Sequence, residues 1–187
     1  AVGQALRQRD DALDGLLLNA GLQYAGHRQV RWSAQGLELT IAVNHLAHQR
    51  LVMDLLPLLL RSHAPRLVIT ASEVHNPASG GGRVGRPAGL GDLSGLKKHS
   101  EMVNGERPFD ADKAYKDSKL CNLLMGRHLA ERHPQLPVIC WSPGLVIPRG
   151  RDGFFRNSRE ANPLGQALFG FVARDLSLIH ISEPTRL

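Results

Sequence analysis

Three short apolar runs constrain this chain most: Leu13 to Leu18, Arg66 to Ala71 and Pro137 to Trp141, each broken off by small or turn-forming residues. They are short for packed helices, and their Leu, Val and Ile content suits strands buried in a parallel sheet. Between the first two, Leu39, Val43, Leu46, Leu51, Leu55 and Leu58 recur at helical spacing, predicting a long helix over 37–60 that Pro57 ends or kinks. Between the second and third, Leu120, Leu123, Leu124 and Leu129 stripe a helix predicted over 114–133, closed by His133-Pro134. Strand–helix–strand–helix–strand order predicts an α/β fold with right-handed crossovers and parallel strands.

Composition narrows the function classes. A chain of 187 residues, 42% hydrophobic and 21% charged, fits one globular domain. No run reaches the ~18 apolar residues of a membrane span; the longest candidate, Leu51 to Leu60, contains Asp54 and Pro57. Cys121 and Cys140 make no disulfide framework, so a reducing compartment is expected. The net charge is +6, with Arg83, Arg86, Lys97 and Lys98 the densest basic set. No aromatic residues interleave with them, which argues against a nucleic-acid surface. A basic rim for phosphates or an acidic substrate, or a plain solvated face, fits better. The Gly-rich, aperiodic stretch from Val74 to Asp112 is expected to be an insertion bordering a substrate site. A helix is expected over the same site within 154–172.

Two residues carry the chemistry. Tyr115 and Lys119 stand one helical turn apart, so phenol and ammonium share a helix face. A free phenol has a pKa near ~10, and a neighbouring ammonium is expected to lower it, tuning Tyr115 as an acid/base. Ser72 follows the second apolar run, where its hydroxyl could bond a reacting oxygen or support Tyr115. Asn44 lies in the first helical pattern and is expected to fix a water that links Lys119 to solvent. Carboxyl ends of parallel strands are where such sheets bind ligands. His45 and His48 lack the carboxylate partner a zinc helix would need, so no metal is expected.

The ordered set Asn44, Ser72, Tyr115 and Lys119, with Leu18-Asn19-Ala20-Gly21 before it and Pro143-Gly144 after it, resembles the short-chain dehydrogenase/reductase family and its Asn-Ser-Tyr-Lys tetrad. The resemblance spans roughly residues 10–150. It implies a Rossmann-like three-layer parallel sheet and makes those four residues catalytic. It assigns Asn19, Ala20, Gly21, Pro143 and Gly144, with Tyr115 and Lys119, to a nicotinamide cofactor: NADPH, with NADH open. Pro148 stands where the family commonly has a Thr that binds the carboxamide. Ala114 to Asn122 and Leu90 to Leu96 resemble the light-dependent protochlorophyllide reductase branch, as does Gly153-Phe154-Phe155-Arg156. That branch implies hydride transfer to a pyrrole-ring double bond, with Tyr115 as proton donor and Cys121 as a pigment contact. Glu73-Val74-His75-Asn76 is more similar to retinol-dehydrogenase relatives, which would take an apolar carbonyl or alcohol. A non-catalytic nucleotide-binding scaffold is the alternative from another class. The expected partner is an apolar or tetrapyrrole small molecule, not nucleic acid, in the cytoplasm or peripheral to photosynthetic membranes.

Both ends look interrupted. No glycine-rich phosphate loop precedes Asn19, so the opening strand–helix units of such a fold are expected to be missing. Residues 176–187 read as the translation of a transposon-end sequencing adapter. The expected division is a partial reductase domain over 1–175 and a foreign tail over 176–187.

Overall fold

The computed structural model describes residues 2–8, 11–144, 163–164 and 185–186. Pro148, Gly153 to Arg156 and the helix expected over 154–172, Pro163 and Leu164 excepted, lie outside the described residues.

Strands β1 (Gly15–Leu18), β2 (Arg66–Thr70) and β3 (Val138–Trp141) pair in parallel, in sequence order. Leu16 stands opposite Leu67, which stands opposite Val138; two residues on, Leu18, Ile69 and Cys140 align. This register puts all six side chains on one face. There they form the main core with Val52, Leu129 and Leu136. Thr185–Arg186, a short β4, adds an antiparallel edge to β3; the rest of 176–187 lies outside the described residues. On the opposite face Leu17 is 61% exposed. Among the described residues the sheet therefore has one helical layer, an incomplete Rossmann-like arrangement.

The covering layer comes from two helical segments. Three consecutive helical segments, α2 (Leu39–Ile41), a π-turn (Ala42–Leu46) and α3 (Ala47–Leu59), follow one another, and helix α1 (Val2–Arg7) packs on α3. The helix expected over 37–60 thus forms with an interruption, and Pro57 is accommodated inside α3. Its N-terminus is capped by Glu38, whose carboxylate accepts from the Thr40 and Ile41 N–H groups at 2.9 Å and from the Tyr24 hydroxyl. Helix α4 (Ala111–Arg132) starts earlier than its apolar stripe, because Asp110 caps it by accepting from Lys113 N–H at 2.9 Å.

The Gly-rich stretch holds no regular element after the 3-10 turn Glu73–His75. Met102 and Phe109 nevertheless join Tyr24, Ala111 and Ala114 in a second core cluster. Three charged residues of α4 hold this stretch in place. The Lys116 ammonium, 4% exposed, donates to the carbonyls of Gly82 (3.1 Å), Val84 (2.5 Å) and Arg86 (3.1 Å). Lys113 and Asp117 form a buried ion pair that bonds Gly89. Of this insertion only Val74 reaches the cavity at the strand ends. The stretch thus reaches the cavity at Val74, while these anchors hold residues 82–89 on α4.

Candidate active site

The carboxyl ends of β1, β2 and β3 are tied across the sheet. Trp141 Nε1 donates to Thr70 Oγ1 at 3.1 Å, and Thr70 Oγ1 donates to Asn19 Oδ1 at 2.9 Å. Above this tie lies a cavity of about 620 Å³. Asn19, Ala20 and Gly21 line it from β1, Ser72 from β2, Pro143 and Gly144 from β3, and Tyr115 and Lys119 from α4. Gly144 has φ 70°, a left-handed conformation that admits glycine without strain. Thr70, Gln23 and Trp141 also line the cavity. The sequence reading missed them because each looks like an ordinary strand or turn residue, and the signal was their place at the strand ends.

Lys119 is 3% exposed, and its ammonium donates to the Thr70 carbonyl at 2.9 Å. It lies 5.6 Å from the Tyr115 ring centroid. Burial pulls Lys119 down to about 8. Burial also pushes the Tyr115 phenol up to about 12, against a hydrogen bond with Ser72 that pulls the other way. The expected lowering by the ammonium is therefore corrected: Lys119 is directed at a backbone carbonyl and desolvation dominates. The phenol stays protonated at neutral pH, the state a proton donor needs.

Asn44 sits in the π-turn, fully buried. Its Oδ1 accepts from Leu22 N–H at 2.8 Å, while Nδ2 donates to Leu22 O at 2.9 Å and Ser118 Oγ at 3.0 Å. Both amide protons are thus used within the protein, so the expectation that the amide fixes a water now rests on Oδ1 alone. Asn44 holds the turn after Gly21 against α4, behind the cavity wall.

Cys121 is not brought to this cavity. Six residues beyond Tyr115, it points about 240° away around the helix. It lines a separate groove of about 320 Å³ with His45, Leu90, Leu96 and Val103. Burial pushes its thiol up to about 12, as in an inert core cysteine.

No protein-family model matches the chain. It is 37% identical over 176 residues to protochlorophyllide reductase from Avena sativa, covering 88% of this chain and 54% of that one. It is 36% identical over 182 residues to chloroplastic protochlorophyllide reductase A from Oryza sativa subsp. japonica, covering 91% and 46%. The chain spans about half the length of the curated relatives it matches. Its fold is similar to a short-chain dehydrogenase from Shigella flexneri 2a str. 301 complexed with NADP, at TM-score 0.51 and 28% identity, covering 87% of this chain and 54% of that one. A short-chain dehydrogenase from Salmonella enterica serovar Typhi str. CT18 gives TM-score 0.51 at 27% identity, covering 87% and 53%.

Proposed function

We propose that this chain, a short-chain dehydrogenase/reductase similar to the protochlorophyllide reductases, carries the catalytic part of an NADPH-dependent reductase acting on a double bond of a tetrapyrrole. The observation behind this reading is the convergence of Tyr115, its hydrogen-bonding partner Ser72, and Lys119 on one cavity at the carboxyl ends of parallel strands.

The cavity suits a dinucleotide by its donors and its walls. Asn19-Ala20-Gly21 offers backbone and small side chains for close approach. A Cβ at Gly21 would meet Asn44 Oδ1 at 3.6 Å and Lys119 Nζ at 3.8 Å, ordinary contact distances, so the backbone here runs close to both side chains. Lys119 would donate to a ribose hydroxyl, and the Pro143-Gly144 turn would border the nicotinamide. A bound nicotinamide supplies the hydride. Tyr115 then supplies the proton: its phenol is protonated at neutral pH, and Ser72 orients it. Lys119 restores the phenol's proton afterwards. Asn44 acts by holding the Leu22 backbone and Ser118 so that the turn after β1 stays against α4. Such a positioned acid contributes about 10²–10⁴ in rate.

Among the described residues no helix is long and apolar enough to cross a membrane.

The test is illumination of the protein with NADPH and protochlorophyllide. Light-dependent loss of protochlorophyllide absorbance, abolished in Tyr115→Phe, supports the assignment. Dark oxidation of retinol-like alcohols instead would redirect it to an apolar-alcohol dehydrogenase. NADPH binding without turnover on any carbonyl would mark a scaffold.

A further inference from the structure

Gln23 is 9% exposed and lines the cavity at the strand ends. Along the turn after β1 the side chains alternate. Leu22 packs against the second core cluster and Tyr24 lies inside it, fully buried, while Gly21 and Gln23 line the cavity. The backbone of Gln23 is held from both sides. The Leu22 N–H and carbonyl are both bonded to the Asn44 amide, at 2.8 and 2.9 Å. The Tyr24 hydroxyl donates to the Glu38 carboxylate, and its ring stacks on Phe109 at 5.6 Å. A side chain presented by backbone already fixed in this way costs less to order when a ligand arrives.

Its polar neighbours in the cavity are committed elsewhere. Trp141 Nε1, the Thr70 hydroxyl and Asn19 Oδ1 are spent on the tie across the strand ends, Ser72 bonds Tyr115, and Lys119 donates to the Thr70 carbonyl. The Gln23 side chain makes no hydrogen bond among the described residues, and neither of its amide atoms is sealed from contact as Asn122 Nδ2 is. The walls around it are largely apolar: Ala20, Ala71, Val74, Trp141 and Pro143. A nearly buried amide with two donors and one acceptor, facing such a cavity, gains by pairing with a polar atom of whatever the cavity holds.

We propose that Gln23 is a specificity-determining residue whose amide donates a hydrogen bond to a carbonyl or carboxylate oxygen carried by the substrate. The assignment rests on the reading of this cavity as the site of an NADPH-dependent reductase. Within that reading the cofactor's polar groups fall to other residues. The nicotinamide borders the turn after β3, and β1 stands two strands away, about 10 Å across the sheet. Ribose hydroxyls fall to Lys119. Phosphates are held by charge or by converging backbone N–H groups, and a neutral side-chain amide offers neither. An oxygen on the substrate is what remains. A tetrapyrrole such as protochlorophyllide carries a ring ketone, an ester and a propionate. An apolar alcohol carries no oxygen beyond its reacting hydroxyl, which Tyr115 and Ser72 serve. Gln23 therefore discriminates in favour of the first class of substrate.

The experiment compares the full chain with two variants of similar size: Q23M, which has no amide, and Q23E, which at neutral pH accepts but does not donate. The probes are protochlorophyllide and its propionate methyl ester, titrated in the dark by pigment fluorescence, so no turnover is needed. Both variants should bind protochlorophyllide about fivefold or more weakly, with NADPH affinity within about twofold of the wild type. Under illumination the KM for pigment should rise by a similar factor at unchanged kcat, because a contact away from the reacting carbon is made equally in the ground and transition states. If the propionate is the group bound, Q23E should lose more affinity for the free acid than for the ester, since two carboxylates would then face each other. If a ring carbonyl is bound, the two pigments should weaken alike. Unchanged pigment binding in both variants would overturn the Gln23 assignment and leave the reductase reading standing. Loss of NADPH affinity equal to the loss of pigment affinity would also overturn it. A wild-type chain that binds neither pigment would overturn the tetrapyrrole reading, and this assignment with it.

Discussion

Lys113 Nζ lies 2.6 Å from Asp117 Oδ2, and the pair holds both backbone groups of Gly89: the ammonium donates to its carbonyl at 2.7 Å and the carboxylate accepts from its N–H at 2.8 Å. The pair is buried, so removing one partner leaves the other charged and desolvated. Asp117→Asn should cost about 3–5 kcal/mol of unfolding free energy. The double variant D117N/K113M should recover much of that loss, because no charge then remains unpaired. Urea denaturation of both, with m-values compared, tests this.

Lys116 works on the same insertion by another route. Its Nζ replaces three separate hydrogen bonds to water at Gly82, Val84 and Arg86. Lys116→Met should release residues 82–86 while the sheet stays folded. Amide exchange there should rise by about tenfold or more, since each buried carbonyl left unpaired costs about 1–3 kcal/mol. β1, β2 and β3 should keep their protection.

Tyr115→Phe removes the hydroxyl that Ser72 bonds and leaves the ring's packing intact. NADPH affinity should change by less than about threefold, while turnover falls about 10²–10⁴-fold. Fluorescence titration and steady-state assay of the same sample separate the two effects.

The pH dependence of stability follows from His48. Its folded value, about 4, lies below the ordinary histidine value of 6.5. Between these values the unfolded chain binds a proton that the folded chain refuses, so stability falls as pH drops from 6.5 towards 4. His45, also pushed down by burial, adds to the same slope. H48L should flatten it. Denaturation midpoints at pH 7, 5.5 and 4.5 would show the difference.

The strands were legible because burial selects continuous apolar runs: β2 and β3 occupy the expected segments to within a residue at each end, and β1 lies inside its own. Tyr115, Lys119 and Ser72 could be placed together because strand ends and one helical turn are short-range facts. The starts of α2 and α4 were less legible. Their caps, Glu38 and Asp110, lie outside the apolar stripes that identify a helix. The π-turn was hidden because Leu39, Val43 and Leu46 keep their spacing through it. Lys113, Lys116 and Asp117 look like a solvated face in sequence. Their burial depends on where an aperiodic insertion lies, which no local pattern records. The direction of Cys121 was not legible either: nearness to Lys119 along the chain says nothing of it without the helix phase.

The wide turn at Ala42–Leu46 acts as a phase shifter. It adds a residue to one turn of the rod, so side chains before and after it are offset by about 100° from their positions on an unbroken helix. Thr40 and Ile41 can thus lie inward at the start while Val52 and Leu55 still meet the interior further along. Deleting one residue there would rotate one set out of place, so lineages carrying this architecture should tolerate substitutions in the segment far better than changes in its length.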